Sequence, residues 1–310
     1  MAGSGVRGLP ATRRCWITGA GPSSPWAVPR RLLVLGGGSA GVEIAQIVRR
    51  LGGEAALVEG ADRVLPREAP PLGKALSEAL RRDGIELVLG MHATATRREG
   101  DEFVLQFDGG KELRGDRLLV ATGRRPRVRA IGLETVGVEP DAHGVPVDAH
   151  LRAGEHLWAI GDVNGLWPLT HVGKYQGEVV AANILGEPRK ANYEAVPRVV
   201  YTDPQAGAVG ASAGRFSAMV PLSEVPKTAT YTRAYADSNG FLTLLSDGER
   251  LTGAYALGPE AGEWLQQATL AIRAQVPLEV MRDTIQPFPT FSEIFVAGLA
   301  ALGVRVAAAA

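Results

Sequence analysis

The chain has 310 residues and a mass of 32.6 kDa, enough for two compact domains, each with its own core. Hydrophobic residues make up 45% and charged residues 21%, which excludes wholesale disorder. The 33 basic and 33 acidic side chains balance, so no global field favours nucleic acid or an anionic membrane. The single cysteine, Cys15, excludes an intrachain disulfide framework, a cysteine-rich zinc module and a CxxC redox pair.

Residues 1–27 lead the chain with Gly, Pro and Ser clusters and no sustained periodicity, which predicts an irregular leader. Nothing in its first ten residues has the apolar core of a signal peptide. Arg31 to Leu35 then reads as a short buried strand, Gly36 to Gly41 as a turn, Val42 to Leu51 as a helix and Ala55 to Val58 as a second strand. Strand, helix and strand in so short a stretch form the minimal parallel crossover unit. Pro71 to Arg82 has helical spacing, Ile85 to Leu89 is a strand, and Thr94 to Val120 alternates between turn signals as an antiparallel meander. Leu118 to Ala121 and His156 to Ile160 read as buried strands that stop at Gly123 and Gly161, and a helix follows from about Val172 to Leu185. From about residue 195 the pattern predicts a separate α+β domain. Its strands are read at 199–201, 228–235, 241–245 and 251–257, and its helices at 261–275 and 278–284. The apolar end, Phe295 to Ala310, falls short of the ~20 residues a bilayer needs and reads as a buried terminal helix. A cytoplasmic protein is the expectation.

The strongest motif is Gly36-Gly37-Gly38-Ser39-Ala40-Gly41. A bare GxGxxG is weak evidence, but here a strand precedes it, a helix follows it, and Glu59 stands at the end of the second strand. Gly36 permits the tight turn, Gly38 lets backbone N–H groups reach a diphosphate, and Gly41 permits close helix–strand packing. Glu59 can accept hydrogen bonds from ribose hydroxyls and would repel a 2′-phosphate, so NAD is favoured over NADP, although Arg63 brings a cation into the same stretch. The alternative is a tight turn with no ligand. A lookalike in the leader, Gly19 to Pro22, lacks the third glycine and a following helix. The two glycine stops, Thr122-Gly123 and Gly161-Asp162, are open between plain strand ends and ligand-binding strand ends, since such ends line the crevice of open α/β sheets.

In order, the chain carries GGGSAGVEIAQ, LVEGADRVLPRE, LLVATGRRP, LWAIGDVNG with LTHVGKYQG, VPRVVYTDPQ and PFPTFSE. This series resembles the class I pyridine nucleotide–disulfide oxidoreductases, flavoproteins that include dihydrolipoyl dehydrogenase and mercuric reductase. The resemblance implies an α/β fold: a Rossmann-like NAD-binding domain at 28–123, the carboxyl-terminal part of an FAD-binding domain at 124–195, and an α+β dimerisation domain at 196–310. It implies that Gly36, Gly37, Gly38, Ser39, Ala40 and Gly41 hold NAD, with Glu59 as the ribose acid. It also implies that Glu43 lies near the nicotinamide and that Gly123 borders the bound NAD. For FAD it implies Asp162 at the ribityl–phosphate region and Thr170, His171 and Val172 beside the isoalloxazine. His171 alone would read as a surface or packing histidine.

The departures from the family matter as much. The family's redox cysteine pair has no counterpart, and its flavin fingerprint for the ADP half is absent, which implies an amino-terminally truncated form. The family's histidine base should precede Pro289-Thr290, but Phe288 stands there and Gln286 where another histidine often occurs; Glu293 remains. Dithiol exchange needs a thiolate and a base, and phenylalanine cannot shuttle a proton. The expectation is therefore an FAD- and NAD-dependent oxidoreductase that passes hydride from NADH through flavin to a small-molecule acceptor other than a disulfide. No catalytic side chain and no metal ligand is assigned. A homodimer through residues 196–310 is expected, with no nucleic-acid partner. The alternatives are a non-catalytic NAD-binding, dimerising fragment, and a separate chain that supplies the missing half. Loss of the amino-terminal half should also leave the strands near Ala121 and Ile160 without sheet neighbours.

Overall fold

The computed structural model describes residues 15–17, 28–231 and 239–309. These fall into two units: residues 28–122 and 197–309 together with the strand at 15–17, and residues 123–196.

The first unit opens with strands β1 (Cys15–Ile17) and β2 (Arg31–Leu35), helix α1 (Ser39–Arg50), strand β3 (Glu54–Glu59), helix α2 (Pro70–Arg82) and strand β4 (Glu86–Leu89). Leu32, Leu33, Val34, Ala56 and Leu57 are fully buried, because strands covered on both faces need continuous rather than alternating apolar runs. Strands β5 (Ala93–Glu99), β6 (Glu102–Phe107) and β7 (Glu112–Gly115) form the expected antiparallel meander. Phe103 and Leu105 of that meander join Leu33, Val58 and Leu118 in one core cluster. Strand β8 (Arg117–Val120) then re-enters the parallel sheet, whose order is β1-β8-β2-β3-β4. The chain steps outward from β2 through β3 to β4 and resumes on the other flank of β2. The strand order thus reverses between β2 and β8, where open α/β sheets bind ligands.

Two expectations fail here. Residues 15–17 are not irregular: their backbone pairs in parallel with Leu118–Val120. Strand β8 consequently has a neighbour on each side, β1 and β2, and no missing partner. Three residues beside a glycine cluster are too short a run to announce a strand. The lookalike at 19–22 lies outside the described residues.

The second unit is small. Strands β9 (Arg152–Gly154) and β10 (Leu157–Trp158) form an antiparallel pair, beside a modest core of Val128, Val138, Val145 and Ala159. Helix α3 (Thr170–Ile184) follows. The buried strand expected at 156–160 is not there: Leu157 and Trp158 are half-buried and Ile160 is exposed. His156 takes a left-handed conformation, φ 55°, in the tight turn between the two strands, and that interrupts the extended run.

The rest of the first unit is an antiparallel sheet with helices. Strands β11 (Arg198–Val200), β12 (Gln205–Gly210) and β13 (Phe216–Pro221) precede helix α4 (Pro226–Tyr231). Strands β14 (Phe241–Ser246) and β15 (Leu251–Gly258) follow, and the sheet order is β11-β12-β15-β14-β13. Helices α5 (Ala261–Trp264), α6 (Gln266–Arg273), α7 (Leu278–Arg282) and α8 (Ile294–Ala307) complete it. The strand expected at 228–235 is helix as far as residue 231, with Pro226 at its first position, where a missing N–H costs nothing; residues 232–235 lie outside the described set. Helix α8 lies on β13 and β14, and a Cβ on Gly298 would come within 3.0 Å of Leu244. The two sheets of this unit share one core, in which Leu72, Leu76 and Leu80 of α2 meet Tyr255 and Leu257 of β15. Among the described residues no helix is long and apolar enough to cross a membrane.

Candidate functional site

The turn between β2 and α1 is tied down by its own backbone. Gly36 N–H donates to the Val58 carbonyl at 2.8 Å and Ala121 N–H to the Leu35 carbonyl at 2.8 Å. Gly36 has φ 111°, and a Cβ there would sit 2.5 Å from the Ala121 carbonyl oxygen, so the position requires glycine. A Cβ on Gly41 would sit 2.0 Å from the Gly36 carbonyl oxygen; that is the close helix–strand approach expected of the third glycine. Gly38 precedes the helix with nothing within 4 Å of a Cβ position. No side chain caps α1, and its first turn holds no acidic residue. Ser39 is exposed and Ala40 half-buried beside it. The uncapped N–H groups and the positive end of a twelve-residue helix therefore meet at a glycine cradle, an arrangement that suits an anion.

Glu59 closes one side of this cradle. Its Oε2 accepts the Gly37 N–H at 2.8 Å and its Oε1 the Ala61 N–H at 2.9 Å. The Gly37 amide is thus already engaged, as is that of Gly36. A carboxylate has about four lone-pair sites, so Glu59 held this way retains capacity for ribose hydroxyls. Arg63, the nearby cation, is committed elsewhere: it pairs with Asp62 at 2.7 Å, donates to the Pro66 carbonyl at 3.3 Å, and packs its stem beside Gly73. Glu43, one turn into α1, accepts the Tyr201 N–H at 2.8 Å. Burial raises its carboxyl above the ordinary 4.5, an effect the Tyr201 N–H partly opposes.

In the second unit Gly123 has φ 133° with open space around it. Asp162 lies in a helical turn, Gly161–Asn164. Its Oδ2 accepts from Arg124 at 2.9 Å, and Arg124 also donates to the Pro168 carbonyl at 2.7 Å. Both side chains are about half exposed, 55% and 53%. The pair presents an acceptor and a cation together, which suits a ligand that carries hydroxyls beside a phosphate. Thr170 and His171, both exposed, and the buried Val172 form the first turn of α3; no side chain caps that end either.

Two residues that lie inside the motifs but carry no expected role, Asn164 and Gln176, hold the Asp162 turn. Buried Gln176 accepts the Gly161 N–H at 2.6 Å and an Asn164 side-chain N–H at 3.1 Å, and it donates to the Tyr193 hydroxyl at 2.9 Å. Asn164 also donates to the Ala159 carbonyl and accepts the Leu166 N–H. The spacing of Gly161 and Gln176 carries no signal by itself, because nothing in sequence says that the helix amide turns back onto the loop. Near the carboxyl end Phe288 is 72% exposed. Glu293 makes a capping box with Thr290, whose N–H it accepts at 3.3 Å, so its carboxylate has a helix-start role. Gln286 donates to Gln267 at 3.2 Å. Among the described residues no group of three or more His, Cys, Asp or Glu side chains is placed to hold a metal ion.

Comparison with known proteins places this geometry in a family. The pyridine nucleotide-disulphide oxidoreductase profile matches residues 12–177, and the dimerisation-domain profile of the same family matches residues 196–298. The chain belongs to this family. It is 34% identical over 276 residues to a dihydrolipoyl dehydrogenase of Chlamydia muridarum, covering 86% of this chain and 59% of that protein. It is 34% identical over 279 residues to a mercuric reductase of Acidithiobacillus ferrooxidans, covering 86% and 50%. Among solved structures, the HOCl-induced flavoprotein disulfide reductase RclA of Escherichia coli superposes with a TM-score of 0.85 at 24% identity, covering 95% of this chain and 70% of that one. LpdA of Mycobacterium tuberculosis gives 0.80 at 24%, covering 88% and 62%; at these identities the likeness speaks to the fold. Enzymes of this family use FAD and NAD(H). The chain spans about three-fifths of the length of the dihydrolipoyl dehydrogenases it matches.

Proposed function

We propose that this chain binds NAD(H) across the Gly36–Gly41 turn and FAD at the Asp162 turn, and acts as an NADH-dependent flavin oxidoreductase. The observation that carries the reading is the uncapped α1 N-terminus over a glycine cradle with Glu59 anchored beside it. The amides of Gly38, Ser39, Ala40 and Gly41 hold the diphosphate, and Glu59 receives the adenosine ribose hydroxyls and disfavours a 2′-phosphate. Because the sheet order reverses between β2 and β8, the nicotinamide half would run toward that switch, on the side of Glu43. Asp162 with Arg124 holds the ribityl–phosphate region of FAD, and the backbone at 170–172 borders its ring. When bound, the flavin supplies a two-electron acceptor for hydride. Residues 196–310 mediate a homodimer. The final acceptor is a small molecule; within residues 1–310 a single cysteine and Phe288, which stands where the resemblance places a base, supply no dithiol relay, and this favours an acceptor other than a disulfide.

The same two features favour a second reading, a non-catalytic NAD-binding and dimerising chain. Reconstitution with FAD, followed by desalting, separates them. Retained flavin absorbance that NADH bleaches without oxygen supports the oxidoreductase. A colourless protein that oxidises no NADH leaves the second reading.

A further inference from the structure

Helix α1 does more than present its N-terminus. Glu43, Gln46 and Arg50 fall on one face of it and grip the segment Tyr201–Asp203 that follows β11. Gln46 is central to that grip. It is 4% exposed, its Oε1 accepts the Asp203 N–H at 2.8 Å, and its Nε2 donates to the Asp203 carbonyl at 2.8 Å and to Asp83 at 2.7 Å. One amide therefore engages both backbone groups of a single residue, the N–H and the C=O of Asp203, something neither a carboxylate nor an apolar side chain can do. Arg50 adds a bond to the same carbonyl at 3.0 Å and an ion pair to the Asp203 carboxylate. Two residues upstream, the Tyr201 N–H is the donor that holds Glu43.

We propose that Gln46 is a positioning residue for the nicotinamide half of the dinucleotide site. By fixing the backbone on both sides of Asp203 it fixes the Tyr201 N–H, and through that bond it sets where the Glu43 carboxyl stands. The inference rests on the dinucleotide reading above and on Glu43 lying on the nicotinamide side.

The test compares NADH with ADP-ribose, which lacks the nicotinamide, by calorimetric titration of the full chain and its variants. Gln46→Met should weaken NADH binding about tenfold and change ADP-ribose binding less than about twofold. In a Glu43→Ala background, Gln46→Met should change NADH affinity less than about twofold, because the group it positions is gone. Asp83→Asn, which leaves the Asp203 bracket in place, should keep the ratio of the two affinities unchanged. That ratio is read within one sample, so partial unfolding of a variant does not disturb it. The proposal is overturned if Gln46→Met weakens both ligands equally, or if its effect persists in the Glu43→Ala background. Wild-type chain that binds neither ligand would overturn the dinucleotide reading itself.

Discussion

The two candidate turns, Gly36–Gly41 in one unit and Gly161–Asn164 in the other, are held by different forces. The first sits at the end of a central strand in a five-stranded parallel sheet, and backbone hydrogen bonds to both neighbouring strands fix it. Its carboxylate, Glu59, is held by hydrogen bonds from backbone N–H groups. The second follows a two-residue strand and is fixed by side-chain amides, Asn164 and Gln176. Its carboxylate, Asp162, is neutralised by an arginine. A turn built on a sheet tolerates no side chain where backbones touch. A turn built on amides tolerates no loss of a donor or acceptor.

That contrast can be broken in order of expected effect. Gly41→Val should be the most damaging change, since even a Cβ would sit 2.0 Å from the Gly36 carbonyl oxygen. A stability loss of about 3 kcal/mol or more in denaturant unfolding is expected, and a loss under about 1 kcal/mol would show that the turn is not close-packed. Gln176→Leu should cost about 2 kcal/mol, because it leaves the Gly161 N–H, an Asn164 amide hydrogen and the Tyr193 hydroxyl without their partner. Faster hydrogen exchange at Gly161 with no change at Gly36 would place the damage in the second turn alone.

The remaining effects are smaller. Burial holds the Glu43 carboxyl above 4.5 in the folded chain. In the window just above that value the folded state keeps a proton that the unfolded state has released. Stability should therefore fall as pH rises through the window and then level off. Glu43→Gln should remove that part of the slope, and an unchanged pH profile would count against it. Arg124→Ala breaks a half-exposed pair and should change stability by less than about 0.5 kcal/mol, while flavin retention drops.

Much of the first turn could be read in advance because its signal is local. The run Arg31–Leu35, the glycines and Glu59 lie within thirty residues, and each obeys a rule about backbone space or strand ends. The second turn depends on Gln176 reaching back to Gly161, a contact that no periodicity encodes. Strand β12, Gln205–Gly210, also escaped notice. Its Gly and Ala residues give no apolar run, yet a Cβ on Gly207 would come within 3.0 Å of Leu265, so small size is what lets α5 and the Leu265 that follows it approach. The segment at 228–231 misled for the opposite reason. Its threonines and tyrosine favour strand locally, and the helix start at Pro226 outweighed them. The capping of Thr290 by Glu293 likewise shows only in three dimensions.

Dinucleotide binding requires that the Gly36–Gly41 cradle hold a diphosphate beside Glu59. Calorimetric titration of the chain with NADH and with NADPH tests this directly. Saturable heat with NADH and weaker binding of NADPH, with that preference lost in Glu59→Ala, is the result the geometry requires. No heat with either nucleotide from folded protein would contradict it.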